Sequence, residues 1–139
     1  MTAPLTTNGF VALVLVSHSA AIADGLAELV AQVAGPDVPI VAAGGGPDGS
    51  FGTDGSRVLE ALRGAAAGSS GGVVLMDIGS AVLSVRAALE ELGADAESIT
   101  VVDAPLVEGA IAAGVTASTG GSRDEVAAAA REARGAAKF

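Results

Sequence analysis

The chain has 139 residues with no cysteine and one histidine, so disulfides, thiolate zinc sites and a cysteine nucleophile are excluded and no metal site is expected. Half of the residues are hydrophobic but only 2% are aromatic, which predicts one domain with a core of Val, Leu, Ile and Ala. The formal net charge of -9 disfavours nucleic acid and membrane surfaces as partners, and without a basic N-terminus or roughly 20 consecutive apolar residues we expect a cytoplasmic protein.

Apolar runs alternate with segments of helical periodicity along the chain. Residues 1–9 are expected to form a flexible tail, and residues 10–139 one domain. Strands are predicted over about residues 10–16, 38–43, 72–76 and 99–102. Helices are predicted over about 18–34, from a cap at 53 or 54 to the turn at 68–71, over 81–92, from Pro105 to 115, and in the alanine-rich C-terminal segment. This alternation predicts an α/β domain with a four-stranded parallel sheet and helices on both faces.

The single histidine, His18, directly follows the first predicted strand. The carboxyl ends of parallel strands meet at one edge of the sheet, which is where ligands bind in such folds. The same edge is expected to carry residues 44–46, 77–80 and 103–105, which follow the other three strands. Imidazole exchanges protons and phosphoryl groups near neutral pH, and helix N-termini offer donors to an anion. His18 is therefore a candidate nucleophile.

The residues alone leave two interpretations of this edge open. His18 is either a functional group or a polar residue that satisfies a strand end. Asp77 is either the carboxylate that fixes the tautomer of His18 or a helix cap, a role that Ser80 could also take. Asp103, two residues before Pro105, could be a turn residue only.

A glycine-rich segment over residues 44–49 matches the dinucleotide pattern G-x-G-x-x-G. That fingerprint requires a helix that starts within the glycines after the first strand, whereas this segment follows the second strand and continues as a loop. The chain also lacks a P-loop lysine and a nucleophile elbow. We therefore expect no nucleotide site here, and instead a flexible lid or a loop that contacts a partner.

Four segments in order, residues 13–19, 52–54, 75–81 and 104–109, resemble the mannose-type enzyme IIA family of the sugar phosphotransferase system. The resemblance covers about residues 10–135 and is to the DhaM subunits of phosphoenolpyruvate-dependent dihydroxyacetone kinases. It implies the mannose-type enzyme IIA fold and a homodimer. It also implies that His18 takes a phosphoryl group from phospho-HPr and passes it to ADP held in the partner subunit DhaL. The resulting ATP would then phosphorylate dihydroxyacetone on DhaK.

The same resemblance implies roles for individual residues. Asp77 matches the position that orients the histidine. The residues expected to bind the phosphoryl group are Ser19, Gly79 and Ser80. Thr53 and Glu108 lie in two of the resembling segments and are candidates for partner contacts. The glycine-rich loop after the second strand adds Gly44 and Gly46 as further candidates. No cofactor is expected on this chain, because ADP and ATP would act in DhaL.

Some members of the family continue into HPr-like and enzyme I-like domains, which this chain lacks, so its donor is expected to be a separate protein. Two other functions stay open. One is a sugar-transport IIA component whose acceptor is a IIB domain, and the other is a regulatory module whose binding follows the phosphorylation of His18. Segments 76–81 and 104–109 favour the kinase subunit.

Overall fold

Four apolar runs form the strands of one parallel sheet in the computed structural model, which describes residues 9–139. The strands are β1 (Ala12–Ser17), β2 (Ile40–Gly44), β3 (Gly72–Met76) and β4 (Ile99–Val101), in the spatial order β2-β1-β3-β4. Every pairing is parallel. The predicted four-stranded parallel sheet is therefore confirmed. The predicted tail lies outside the described residues except for Gly9, whose carbonyl accepts a hydrogen bond from the Ser70 hydroxyl.

Five helices connect and follow the strands. They are α1 (Ala20–Ala34), α2 (Gly55–Ala67), α3 (Ser80–Leu92), α4 (Leu106–Ser118) and α5 (Arg123–Glu132). Two short 3-10 helices, Gly93–Ser98 and Ala133–Gly135, complete the described elements. Each helix from α1 to α4 begins near the carboxyl edge of the sheet, as right-handed crossovers between parallel strands require.

The side chains of β1 alternate between two apolar layers. Leu13 and Leu15 join the buried faces of α1, α4 and α5. Val14 and Val16 join α2 and α3 on the opposite face of the sheet. Successive side chains of a strand point to opposite faces, so a strand between two helical layers is buried along its whole length. All six residues of β1 are buried, and Ser17 is the one polar residue among them.

The start of α1 differs from the prediction that helical structure begins at His18. The helix begins at Ala20, because the Ser19 side chain accepts a hydrogen bond from the Ile22 amide and caps it. His18 therefore lies in the turn between strand and helix. This position keeps its side chain free of the helical backbone and available at the edge of the sheet.

Two further boundaries differ for reasons of backbone chemistry. β2 begins at Ile40 because Pro39 has no N–H group to contribute to the ladder. α4 begins at Leu106, so Pro105 precedes the helix. The 3-10 helix Gly93–Ser98 was not predicted, because short helices of this kind have weak sequence signals.

Gly44, at the end of β2, allows α1 to approach the sheet closely. A β-carbon built at this position would lie 2.7 Å from the Ala23 Cβ and 2.7 Å from the Ser19 carbonyl oxygen. Both contacts are far shorter than van der Waals distance, and the second involves a backbone atom that cannot move independently. The absence of a side chain at Gly44 therefore sets the position of the turn that carries His18.

We expect Gly44→Ala to destabilise the fold by about 1–3 kcal/mol, the usual cost of overpacking. Urea unfolding measures the change. Gly25→Ala is the matched control, because a β-carbon there meets nothing within 4 Å, and replacing an exposed helical glycine stabilises by about 0.5–1 kcal/mol. Equal unfolding free energies for Gly44→Ala and the unmodified protein would contradict the role of this close approach.

Candidate functional site

The carboxyl ends of three neighbouring strands bring His18, Gly45 and Asp77 side by side. The Gly45 amide donates to the Ser17 carbonyl, and the Asp77 amide donates to the Val16 carbonyl. Because β1 lies between β2 and β3, the connection that follows β1 and the one that follows β3 run in opposite directions along the sheet, and His18 lies where they diverge. Open α/β sheets bind ligands at this point.

The imidazole of His18 is held by a carboxylate on one side. Its Nδ1 lies 2.9 Å from Oδ1 of Asp77, and the two side chains are 21% and 18% exposed. Both are therefore sheltered from bulk water while remaining reachable from the surface. A contact of this length and burial fixes the plane and direction of the ring.

The Asp77 carboxylate accepts four hydrogen bonds from the residues that the structure describes. Oδ1 receives the Ile78 amide at 2.7 Å besides the ring of His18. Oδ2 receives the backbone amide of His18 and the Ser17 hydroxyl, each at 2.8 Å. With both oxygens fully engaged, the carboxylate has one stable orientation.

These contacts determine the charge of Asp77 and the tautomer of His18. Partial burial raises the pKa of the Asp77 carboxyl. The hydrogen bonds from the His18 amide, the His18 ring, Ile78 and Ser17 outweigh it, so the pKa lies below its ordinary value. An ionised carboxylate only accepts hydrogen bonds, so Nδ1 carries the proton of the neutral ring. Nε2 then keeps its lone pair, which is the requirement for a nitrogen nucleophile.

Ser80 contacts this second ring nitrogen. Its Oγ lies 2.6 Å from Nε2, and because Nε2 is the acceptor, the hydroxyl donates. Ser80 is the first residue of α3, and the first amides that donate there are those of Ala81, to the Ile78 carbonyl, and Val82, to the Gly79 carbonyl. The amides of Gly79 and Ser80 are thus among the free donors of the helix N-terminus. The reactive nitrogen faces a hydroxyl and the positive end of a helix.

The alternative that Asp77 or Ser80 caps the helix is wrong. The residue at the cap position of α3 is Gly79, which provides no side-chain hydrogen bond. The oxygens of Asp77 are occupied by His18, Ser17 and Ile78, and the Ser80 hydroxyl is directed to the ring. Both polar side chains serve the histidine.

Ser19 has a structural function that the sequence prediction did not include. Its hydroxyl oxygen accepts the Ile22 amide at 3.2 Å, and its own amide donates to the Ser17 hydroxyl at 3.1 Å. The residue therefore caps α1, and its predicted contact with a phosphoryl group stays a prediction.

Gly44 and Gly46, two predicted partner contacts, are both buried. They offer a partner no surface of their own, because Gly44 packs under α1 and the Gly46 amide donates to the Ser50 carbonyl inside the loop at 2.7 Å. The loop is further ordered by Asp48, whose carboxylate accepts the amide and the hydroxyl of Ser50. The expected flexible loop is thus a turn with its own network of hydrogen bonds.

The end of the same loop is attached to the site. The Gly52 amide donates to the His18 carbonyl at 2.9 Å, and the Thr53 hydroxyl lies 2.5 Å from the Ser84 hydroxyl on α3. Phe51, the residue before Gly52, is 86% exposed. An aromatic side chain is therefore presented to solvent beside the histidine on a firmly held backbone.

Asp103 follows the end of β4 and Glu108 lies in the first turn of α4, and each pairs with a residue near the C-terminus. Lys138 Nζ lies 2.9 Å from the Glu108 carboxylate, and Arg134 lies 2.8 Å from that of Asp103. The hydrogen bond from Lys138 lowers the pKa of the Glu108 carboxyl. Neither acid contacts His18.

Ser17 is the functional candidate that the sequence prediction missed. It is fully buried, and its hydroxyl contacts Asp77 directly. The available signal was a polar residue at the end of an otherwise apolar strand, immediately before the histidine.

No metal-binding group emerges within the described part of the chain, where no three His, Asp or Glu side chains come together. Next to Asp77 the edge opens into a cavity of about 580 Å³ between α3 and the end of β4. Its lining is mostly apolar, and Arg86 is the one cationic side chain among the described residues that line it. Of the helices within residues 9–139, none has the length and hydropathy that a membrane crossing requires.

Comparison with protein families gives one match over most of the chain. The family model EIIA-man, described as the PTS system fructose IIA component, matches residues 12–127. Among solved structures, the crystal structure of EF1359, a protein of unknown function, superposes with a TM-score of 0.82 at 34% identity. That match covers 94% of this chain and 98% of the other.

Individual relatives agree with the family match. The chain is 38% identical over 117 residues to the phosphoryl donor subunit DhaM of PEP-dependent dihydroxyacetone kinase 2 from Listeria innocua, covering 84% of this chain and 93% of that protein. It is 42% identical to DhaM of Providencia stuartii and 40% identical to DhaM of Escherichia coli. Those two matches cover 84% and 82% of this chain, which spans 25% of each of the longer proteins.

The lowered pKa of Asp77 predicts a specific pH dependence of stability. A carboxyl group whose pKa is lower in the folded than in the unfolded state stabilises the fold fully at pH values above its unfolded-state pKa. This contribution is lost as the pH falls through the folded-state pKa. We expect the difference in unfolding free energy between the unmodified protein and Asp77→Asn to shrink between about pH 5 and about pH 2. Urea unfolding at each pH measures it, with the exposed Asp24→Asn as control. A difference that stays constant with pH would contradict the ionised, hydrogen-bonded state of Asp77.

Proposed function

This chain belongs to the EIIA-man family and is similar to the DhaM phosphoryl donor subunits, and from that membership we propose that it is a phosphohistidine relay. His18 takes a phosphoryl group from phospho-HPr and gives it to ADP bound in DhaL. The ATP so formed serves the phosphorylation of dihydroxyacetone on DhaK. The chain is then the phosphotransferase component of a kinase, and the reaction on the final substrate takes place in its partners.

One observation carries the proposal: the order Asp77, Nδ1, Nε2, Ser80 across the ring of His18. The carboxylate at 2.9 Å from Nδ1 holds the proton on that nitrogen, and Nε2 is directed at a helix N-terminus. A phosphoryl carrier needs one unprotonated nitrogen, a fixed tautomer and donors for phosphoryl oxygens. His18 meets all three requirements. Its side chain is 21% exposed and so within reach of a second protein.

The transfer to His18 requires no proton to leave the attacking atom. The lone pair of Nε2 attacks the phosphorus of phospho-HPr, the bond from phosphorus to the donor atom breaks, and its electron pair stays on HPr. The proton on Nδ1 remains hydrogen-bonded to Asp77, which stabilises the positive charge that the ring acquires. In the second transfer a terminal oxygen of ADP attacks the phosphorus, and the electron pair of the N–P bond returns to Nε2.

The N-terminus of α3 is the proposed binding site for the phosphoryl group. The Ser80 hydroxyl, which donates to Nε2 in the free protein, turns to a phosphoryl oxygen once the N–P bond forms. The amides of Gly79 and Ser80 add backbone donors, and the positive end of the helix dipole favours the anion.

Exposed apolar side chains beside His18 support contacts with protein partners. Phe51 is 86% exposed and Ile78 is 59% exposed, and both adjoin residues bonded to His18 or Asp77. Exposed aromatic and aliphatic groups are typical anchors of interfaces, and the net charge of -9 attracts partners with basic surfaces. We therefore assign partner contacts to Phe51 and Ile78, with Thr53 beside them. The homodimer and the absence of a bound cofactor stay predictions from the family resemblance, and the cytoplasmic location stays a prediction from the sequence pattern.

A second function, a IIA component of a sugar transporter, is favoured by the description of the matched family as a fructose IIA component. It shares the chemistry of His18 and differs in the acceptor, which would be a IIB domain. The identity of the acceptor separates the two functions.

Intact-mass measurement after incubation with phosphoenolpyruvate, enzyme I and HPr tests the relay. We expect one added phosphoryl group that is lost in acid and discharged by DhaL with bound ADP. A phosphoryl group discharged by a IIB domain and not by DhaL would identify the transporter component. A chain that stays unphosphorylated would overturn the relay altogether.

His18→Ala is expected to abolish phosphorylation without unfolding the protein, and Asp77→Asn to slow it by about 10²-fold or more, as the loss of a histidine-orienting aspartate does in serine proteases. Rapid-quench labelling with phospho-HPr measures both rates, with Asp24→Asn as the control for a lost surface charge. Acid-labile labelling of His18→Ala would assign the phosphoryl group to another residue.

Ser80→Ala is expected to slow phosphorylation of His18 by about 10-fold to 10²-fold, because one donor to the transferred group is lost while the helix amides remain. Ser118→Ala is the matched control, since its hydroxyl donates to the Val115 carbonyl at the far end of a different helix. The same rapid-quench assay applies. Identical rates for the two serine variants would rule out contact between Ser80 and the phosphoryl group.

A further inference from the structure

Ser17 is the single buried polar or charged side chain in the part of the chain that the structure describes, and it is 0% exposed. It ends β1, where the preceding five residues are apolar. A hydroxyl in such surroundings costs free energy unless its hydrogen-bonding groups are used. The steps of phosphoryl transfer described above do not involve it.

Both hydrogen-bonding functions of the Ser17 hydroxyl are engaged. It donates to Oδ2 of Asp77 at 2.8 Å and accepts the Ser19 amide at 3.1 Å. Ser19 caps α1, so its position is set by the helix. The Ser19 amide thus fixes the orientation of the Ser17 hydroxyl. The hydroxyl in turn restricts the orientation of the Asp77 carboxylate, to which it donates.

Among residues 9–139, the contact with Ser17 is the only one to Asp77 that comes from a buried side chain. The remaining donors are the ring of His18 and two backbone amides, those of His18 and Ile78. Without the hydroxyl, Oδ2 keeps one partner, and rotation of the carboxylate about its Cβ–Cγ bond meets less resistance. A rotated carboxylate no longer presents Oδ1 to Nδ1, and a neutral imidazole without a fixed acceptor populates both tautomers.

We propose that Ser17 is a positioning residue, whose buried hydroxyl holds the Asp77 carboxylate so that the proton of His18 stays on Nδ1 and Nε2 stays free. The inference rests on the proposed function, because a free Nε2 matters when that atom attacks phosphorus. Its structural part, the control of the tautomer, is measurable without any phosphoryl transfer.

Ring nitrogen NMR tests the tautomer directly, since the chain contains one histidine and therefore two imidazole nitrogens. In the unmodified protein we expect the pattern of a ring protonated on Nδ1. In Ser17→Ala both nitrogen shifts should move toward those of a mixture with Nε2–H, and Ser17→Thr, which keeps the hydroxyl, should restore the original pattern. Unchanged nitrogen shifts in Ser17→Ala would overturn the proposal.

A kinetic measurement separates positioning from docking. In Ser17→Ala the maximal rate of phosphorylation by phospho-HPr should fall about 10-fold while the KM for phospho-HPr stays the same. An unchanged maximal rate would overturn the role in the relay. If the unmodified protein accepts no phosphoryl group, the proposed function fails, and the NMR comparison still decides whether Ser17 sets the tautomer.

Ser17→Cys keeps the measurement possible if Ser17→Ala does not fold. The thiol fills nearly the same volume but is a weak donor, so we expect the same direction of shift in the ring nitrogens and an intact thermal transition. A folded Ser17→Cys protein with the ring pattern and rate of the unmodified chain would contradict the proposal.

Discussion

The carboxylate of Asp77 is the group on which the rest of the site depends. It accepts hydrogen bonds from the ring and the amide of His18, from the Ser17 hydroxyl and from the Ile78 amide. Two strands contribute to this arrangement, because Ser17 ends β1 and His18 follows it, while Asp77 follows β3. The carboxylate therefore connects the two strands through side chains at the edge where their backbone ladder stops. Its charge also determines which ring nitrogen of His18 carries the proton.

Close packing of α1 against the sheet holds the contact between His18 and Asp77 in place. Gly44 lets the start of α1 come within contact distance of β2, so the turn containing His18 is held between sheet and helix. The N-termini of α1 and α3 both lie at this turn, and their dipoles favour an anion beside the imidazole. An anion bound at this turn would thus meet positive backbone termini even though the chain as a whole carries a net charge of -9.

The sequence was sufficient to predict the sheet and to place His18 and Asp77 at one edge of it, because apolar runs define parallel strands and their polar successors must share one edge. The residues alone left the role of Asp77 open, and the family resemblance implied that it orients His18. It was insufficient for Ser80, since the backbone conformation of Gly79 decides whether that hydroxyl caps a helix or reaches a ring, and glycine accepts many conformations. Ser17 was missed because alternation along a strand does not reveal the partner of a buried hydroxyl. Gly44 and Gly46 were assigned to a surface because glycine-rich segments in loops and in tightly packed turns look alike in sequence.

The hydrogen bonds between β1 and the segment after β3 join residues that are 59 to 62 positions apart. Contacts of such long range form late, since closing a long loop costs entropy before the contact is made. An isolated β1–α1–β2 fragment contains the histidine but neither its carboxylate nor its hydroxyl partner. The proposed capacity of His18 to carry a phosphoryl group would therefore be a property of the completed sheet, because the hydrogen-bonded ring exists only once the third strand has been added beside the first.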